Sequence, residues 1–229
     1  MMEKNGMDEL QTPTPENVEQ IEQPKKKGMK LSDWIFVGVC VLLIASVFFF
    51  RLWWRNQYFG VVVKGSSMNQ TLNNGDELFV RSMKDGVKAE RGDVIVVYTG
   101  AYSQSGNGSY LIKRLIAIQG DKVRCTDGQI EICYAGTQEY VPLYEPYAYY
   151  GNYKQEYDFA EYQVQAGEIF FLGDNRSSSG SSQDSRYQEG HSNIQCLYKQ
   201  TDIYGVVPSW SVQYKSICKI FITQPKDMR

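Results

Sequence analysis

Tyr110-Leu111-Ile112-Lys113-Arg114-Leu115-Ile116-Ala117-Ile118, followed by Gln119-Gly120-Asp121, sets a lysine inside an apolar run that closes on a turn. The β-branched residues and the terminal Gly-Asp predict a strand over 110–118. Period-two alternation puts Lys113 on the face of Leu111, Leu115 and Ala117. That lysine has two readings. On an edge strand its stem would lie along apolar surface and carry the ammonium out to water. On a buried strand, desolvation would depress its pKa and leave the amine able to act as a base.

Similar runs recur on both sides, between Gly, Asp and Asn signals. They are Tyr58–Val63, Glu77–Arg81, Val94–Tyr98, Lys122–Cys125, Gln129–Cys133, Glu168–Leu172, Ile203–Val207 and Ile217–Ile222. Together they predict a mostly β fold with largely antiparallel sheet. Asp127-Gly128 is a two-residue hairpin signal. It sets Cys125 opposite Ile130 and leaves Cys133 three residues further along, about 10 Å away with its side chain on the other face. That offset is too long for a disulfide, so no Cys125–Cys133 bond is expected. Gly100–Gly108 reads as a loop, and the tyrosine-rich Tyr140–Tyr162 as an ordered insertion.

Upstream, Trp34 to Phe50 runs 17 residues without a charge, and Leu52, Trp53 and Trp54 continue it past Arg51. From Leu31 to Trp54 a helix would cover about 36 Å, enough for a hydrocarbon core of about 30 Å. Bulky Phe48–Phe50 and Trp53–Trp54 stand where a cleaved leader needs small residues, so the segment reads as a retained anchor. Met1 to Gly28 is polar and lacks apolar periodicity, which predicts a flexible tail. Lys25, Lys26, Lys27 and Lys30 precede the anchor against Arg51 and Arg55 after it, favouring a cytoplasmic N-terminus. The division expected is a tail over 1–30, a single transmembrane anchor over 31–55 and an extracytoplasmic catalytic domain over 56–229.

The chain has 229 residues, a net charge of −2 and 42% hydrophobic residues. The hydrophobic share excludes wholesale disorder, and the charge argues against nucleic-acid binding through bulk positive potential. One histidine, His191, and five cysteines without a C-x-x-C pair leave little for a metal. No cofactor or metal is expected, nor a histidine base.

Four short segments carry chemistry-bearing residues. The first is Gly65-Ser66-Ser67-Met68-Asn69-Gln70-Thr71-Leu72, followed by Gly75-Asp76. The second is Arg91-Gly92-Asp93-Val94-Ile95-Val96-Val97, a turn feeding a buried strand. The third is the lysine strand with Gly120-Asp121. The fourth is Gly173-Asp174-Asn175-Arg176, running through a serine-rich loop to Asp184-Ser185-Arg186.

Their order and spacing resemble the type I signal peptidases, membrane-anchored serine proteases that remove signal peptides. The resemblance covers roughly residues 31 to 207 and implies Ser67 as nucleophile and Lys113 as general base, with the Ser67 backbone N–H as oxyanion donor. Lysine rather than histidine at 113 points to the prokaryotic Ser-Lys branch. The resemblance also implies Asp184 and Arg186 as a supporting ion pair, and a serine hydroxyl bonded to the lysine. Counting from Arg176 gives Ser179 for that serine, and counting back from Asp184 gives Ser182. Exposed loop tips absorb insertions most readily, which favours Ser182. Gln70 stands where the family has Pro, Ala117 where it has Gly and Gln119 where it has Pro.

The activity implied by the resemblance is cleavage of signal peptides from exported preproteins through an acyl-enzyme, at the lipid membrane with the secretion machinery nearby. The alternative is a catalytically degenerate relative acting as a surface-protein assembly factor, and intact Ser67 and Lys113 argue against it. A cytosolic Ser-Lys self-cleaving regulator would lack the anchor.

Overall fold

The computed structural model describes residues 28–84, 86–99, 109–177, 185, 198–223 and 225. The loop expected over Gly100–Gly108, most of the N-terminal tail and Cys196 lie outside them. The apolar run forms one helix, α1, Leu31–Gln57, in which no residue is buried. Asp33 in its first turn and Arg55 in its last complement the helix dipole. It is long and apolar enough to cross a membrane.

Ten strands come next in the chain: β1 Tyr58–Val62, β2 Glu77–Ser82, β3 Val94–Tyr98, β4 Tyr110–Ile118, β5 Lys122–Thr126, β6 Gln129–Cys133, β7 Val141–Pro142, β8 Phe159–Gln163, β9 Ile169–Leu172 and β10 Ile203–Val207. Two short helices, α2 Ser209–Gln213 and α3 Lys215–Phe221, come last. The strands make a six-stranded sheet in the order β1-β2-β10-β3-β4-β9 and a four-stranded sheet in the order β7-β6-β5-β8. Every pairing between these strands is antiparallel.

Alternation along β3 explains why the larger sheet is covered on both faces. Val94 and Val96 join one core with Val61, Leu78, Val80 and Val207, while Ile95 and Val97 join another with Leu115, Ile169 and Phe171. A fully buried Val, Leu or Ile contributes about 1.5–3 kcal/mol, so such a strand is held from both sides. A third core lies between Phe170 and Leu172 of β9 and Val123, Cys125, Ile130 and Ile132 of the smaller sheet. Asp127 and Gly128 both adopt positive φ, 49° and 71°, the conformation that a tight two-residue hairpin demands. Cys125 pairs with Ile130 and Cys133 with Lys122, and neither cysteine is in a disulfide.

Three expectations are corrected. Ile217–Ile222 is not a strand, because Lys215–Phe221 is helical. The segment lies over the face of the sheet, where Ile222 packs against Gly60. A strand there would leave its peptide groups unpaired, whereas a helix satisfies its own. Ala117 does not share the face of Lys113. A bulge between Leu115 and Ala117 turns Ala117 into the third core with Ile116. Finally, β4 is an inner strand between β3 and β9 and Lys113 is buried, which rules out the reading that carries its ammonium out to water.

Candidate active site

Ser67 lies in the turn after β1. Val63 and Asp76 pair their backbones across the base of that loop at 2.8 Å. Met68 and Leu72, both buried, anchor it in the core through a turn closed by Leu72 N–H to Met68 O at 2.7 Å. Gln70 takes φ 80° within this turn. Proline is locked near −65°, so the missing proline matches a different local backbone.

The Gly173-Asp174-Asn175 segment, emerging from β9, grips the Ser67 turn at every residue. A Cβ on Gly173 would strike the Ser67 carbonyl oxygen and sit 3.4 Å from its Cβ. Asp174 accepts the Thr71 hydroxyl at 2.6 Å. Asn175 donates its backbone N–H to Ser67 O and its side-chain amide to Ser66 O, both at 3.0 Å.

Lys113 is 2% exposed on β4 and faces Ile95 of β3. Beside it Arg114 pairs with Leu172, the last residue of β9, and the chain then runs directly into Gly173. The glycine that backs the Ser67 turn thus follows directly on the strand end that pairs next to the lysine. Ser67, Gly65 and Met68 also line a cavity of about 70 Å³ with Val62, Val63, Tyr110, Leu111 and Ile112, the last two immediately preceding Lys113. A wider cleft of about 450 Å³ adjoins Asn69, Gln70, Asn73, Tyr149, Asn175 and Ser177.

Around this junction stands a frame of buried ion pairs. Arg114 donates through Nε and Nη2 to Asp174 at 2.8 and 2.6 Å, and through Nη1 to Gly92 O at 2.7 Å. The Tyr147 ring covers its guanidinium at 3.8 Å. Arg176, fully buried, binds Gly173 O, Glu145 and the Tyr150 hydroxyl. Burial works against both cations, but for Arg114 the bonds to Asp174 outweigh it, and for Arg176 Tyr157 and Glu145 do. Both pKa values rise. Arg91 holds the buried Asp121 in the same bidentate way.

Among the described residues no group of three or more His, Cys, Asp or Glu could hold a metal ion. Ser179, Ser182, Asp184 and Arg186 lie outside the described residues. Ser185, between the last two, is buried, and its hydroxyl and N–H bond Phe171 N–H and O at 2.9 and 3.0 Å.

Against known proteins, a family model described as signal peptidase, peptidase S26, matches residues 31–212. The chain belongs to that family. Signal peptidase I P of Bacillus subtilis subsp. natto is 28% identical over 187 residues, which is 81% of this chain and 91% of the relative. Signal peptidase I U of Bacillus subtilis (strain 168) is 29% identical over 173 residues, covering 71% and 82%. A crystal structure of a signal peptidase I from Enterococcus faecalis V583 is 26% identical, with a TM-score of 0.37, and covers 53% of this chain and 98% of that one.

In this signal peptidase, sequence reasoning did not assign the pairs Arg114–Asp174 and Arg176–Glu145. Their signal was present: arginines beside apolar strand residues need a partner when buried. What could not be read was that Glu145, Tyr147 and Tyr150, all within the tyrosine-rich stretch, would supply the walls.

Proposed function

We propose that Ser67 is the nucleophile and Lys113 its general base, in an enzyme that removes signal peptides. Cleavage of signal peptides by a serine protease follows from the family. The observation that supports this pairing is that Ser67 shares a cavity with Leu111 and Ile112, immediately before Lys113, and packs on Gly173, next to the Leu172 that pairs with Arg114. Burial disfavours the lysine's charged form, the condition under which an amine accepts a proton. Lys113 would take the Ser67 proton as the hydroxyl attacks the scissile carbonyl, then pass it to the leaving amine. The Ser67 N–H would face the oxyanion, and water would release the acyl-enzyme. Ser182 would hold the lysine, and Asp184 with Arg186 would hold the loop that carries it.

The cavity beside Ser67 has room for a small side chain, and the outer edge of β1 suits a substrate added as a strand. We assign α1 to a single-pass anchor with its N-terminus cytoplasmic, and the β domain to the extracytoplasmic side near the secretion machinery. The decisive assay is cleavage of a purified preprotein. Ser67→Ala and Lys113→Met should each abolish it while the protein stays folded. Lys113→Arg should fail too, because guanidinium keeps its proton throughout the working range. Turnover by the arginine variant overturns the base assignment. Wild-type activity should rise with pH as the lysine neutralises.

A further inference from the structure

Helix α3 begins at Lys215, beyond residue 212 where the family match ends, and it is apolar on two sides. Its inner side is seated: Cys218 is 3% and Ile222 9% exposed, and Ile222 lies on β1 so closely that a Cβ at Gly60 would come within 2.6 Å of it. Its outer side is not. Ile217 is 52%, Ile220 74% and Phe221 69% exposed, with Tyr214 beside them at 48%. These positions, three, four and seven apart, fall on one arc of the helix, and Lys215 and Lys219 on another.

The location of that face decides what covers it. Trp210 of α2 touches Trp54, Tyr58 and Phe79, with ring centroids 5.9–6.0 Å apart. Trp54 in turn stacks on Tyr58 at 4.5 Å. This cluster sets α2 against the last turn of α1, and α3 follows α2 directly and packs on β2, within the compact unit Phe48–Arg229. There Phe48, Phe49, Phe50, Leu52 and Trp53 are all about half exposed or more. Exposed apolar side chains thus stand both at the end of α1 and on α3, in one compact unit with Trp and Tyr rings suited to the membrane–water boundary. At about 10 Å, α3 is too short to span a bilayer and the right form to lie on one, with lysines on its polar side.

We propose that α3 docks in the interfacial layer of the same bilayer that α1 enters, a reading that rests on α1 being the anchor. The contact has a direct route to the reaction centre. Lys215 Nζ donates to Asp76 Oδ2 at 2.6 Å and to Thr71 O at 3.3 Å, both in the loop that carries Ser67. Thr71 also donates to Asp174. A helix held by lipid therefore positions the nucleophile loop relative to the membrane surface.

The test uses the full chain in nanodiscs of phosphatidylethanolamine and phosphatidylglycerol, with an environment-sensitive fluorescent amino acid at position 49 or 220. Brominated lipid should quench both. Quenching at 49 without quenching at 220 overturns the proposal and leaves the anchor intact, whereas no quenching at 49 removes the anchor reading itself. Activity gives the second readout. With Ile217→Asn, Ile220→Asn and Phe221→Asn combined, cleavage of a vesicle-embedded preprotein should fall about tenfold or more, as misplaced reacting groups do. Cleavage of a short soluble peptide should hold. Equal loss on both substrates, or loss on neither, overturns the proposal.

Discussion

Arg114 and Asp174 form a two-pronged buried pair at 2.8 and 2.6 Å, and the same carboxylate accepts the hydroxyl of Thr71 in the nucleophile loop. One aspartate thus ties the lysine strand to the serine turn. Its side chain is fully buried and that of Arg114 is 11% exposed.

Asp174→Ala leaves the Arg114 cation buried without its counter-ion. Breaking such a pair destabilises by about 3–5 kcal/mol. Urea unfolding of the detergent-solubilised chain should show that loss, accompanied by reduced cleavage. A near-wild-type midpoint would mean that the carboxylate is dispensable.

Gly173→Ala tests the packing of the Ser67 turn. The added methyl meets the Ser67 backbone carbonyl, which cannot turn aside as a flexible side chain could. Shifting a reacting group by about 1 Å can reduce rate about a hundredfold. Cleavage kinetics should show the fall in kcat with the fold retained by circular dichroism, and unchanged kcat would refute the contact.

Gln70 holds φ 80°, where a side chain costs about 1–2 kcal/mol and glycine costs little. Gln70→Gly should therefore hold or raise stability. Gln70→Pro, which restores the family's residue, should lower it, because proline cannot reach a positive φ. Thermal melts of the two variants should move apart, and a proline variant melting at or above wild type would contradict the turn.

Tyr150 supplies a pH test. Burial above all pushes its phenol up to about 12, against an ordinary value near 10. Between those values the folded chain holds a proton that the unfolded chain has lost, so stability falls as pH rises through the window and is unaffected below it. Tyr140, raised to about 12, and Tyr147, also raised, act in the same direction. Tyr150→Phe should make the alkaline loss shallower in denaturation series run from about pH 9 to 12. An unchanged slope would remove Tyr150 from the account.

The strands β3, β4, β6 and β10 were legible to the residue, because alternation and turn residues act locally. Ile217–Ile222 was not. Its β-branched residues favour a strand, but where the chain passes over a sheet face, only a helix satisfies the backbone. The strands β7 and β8 were hidden within the tyrosine-rich stretch, whose pairing depends on β5 and β6 rather than on its own pattern.

For the site, the sequence by itself determined which residue types are available: a serine in a turn, a lysine in an apolar strand, and charged boxes in a fixed order. Chemistry of that kind is local to each segment. Only the tertiary structure decided that Gly173, one residue beyond the β9 end that pairs beside Lys113, packs against Ser67, and that Glu145 neutralises Arg176 from 31 residues away. Such pairings depend on strand register and on the desolvation of distant charges, which are set by how the sheets close and by no single stretch of chain.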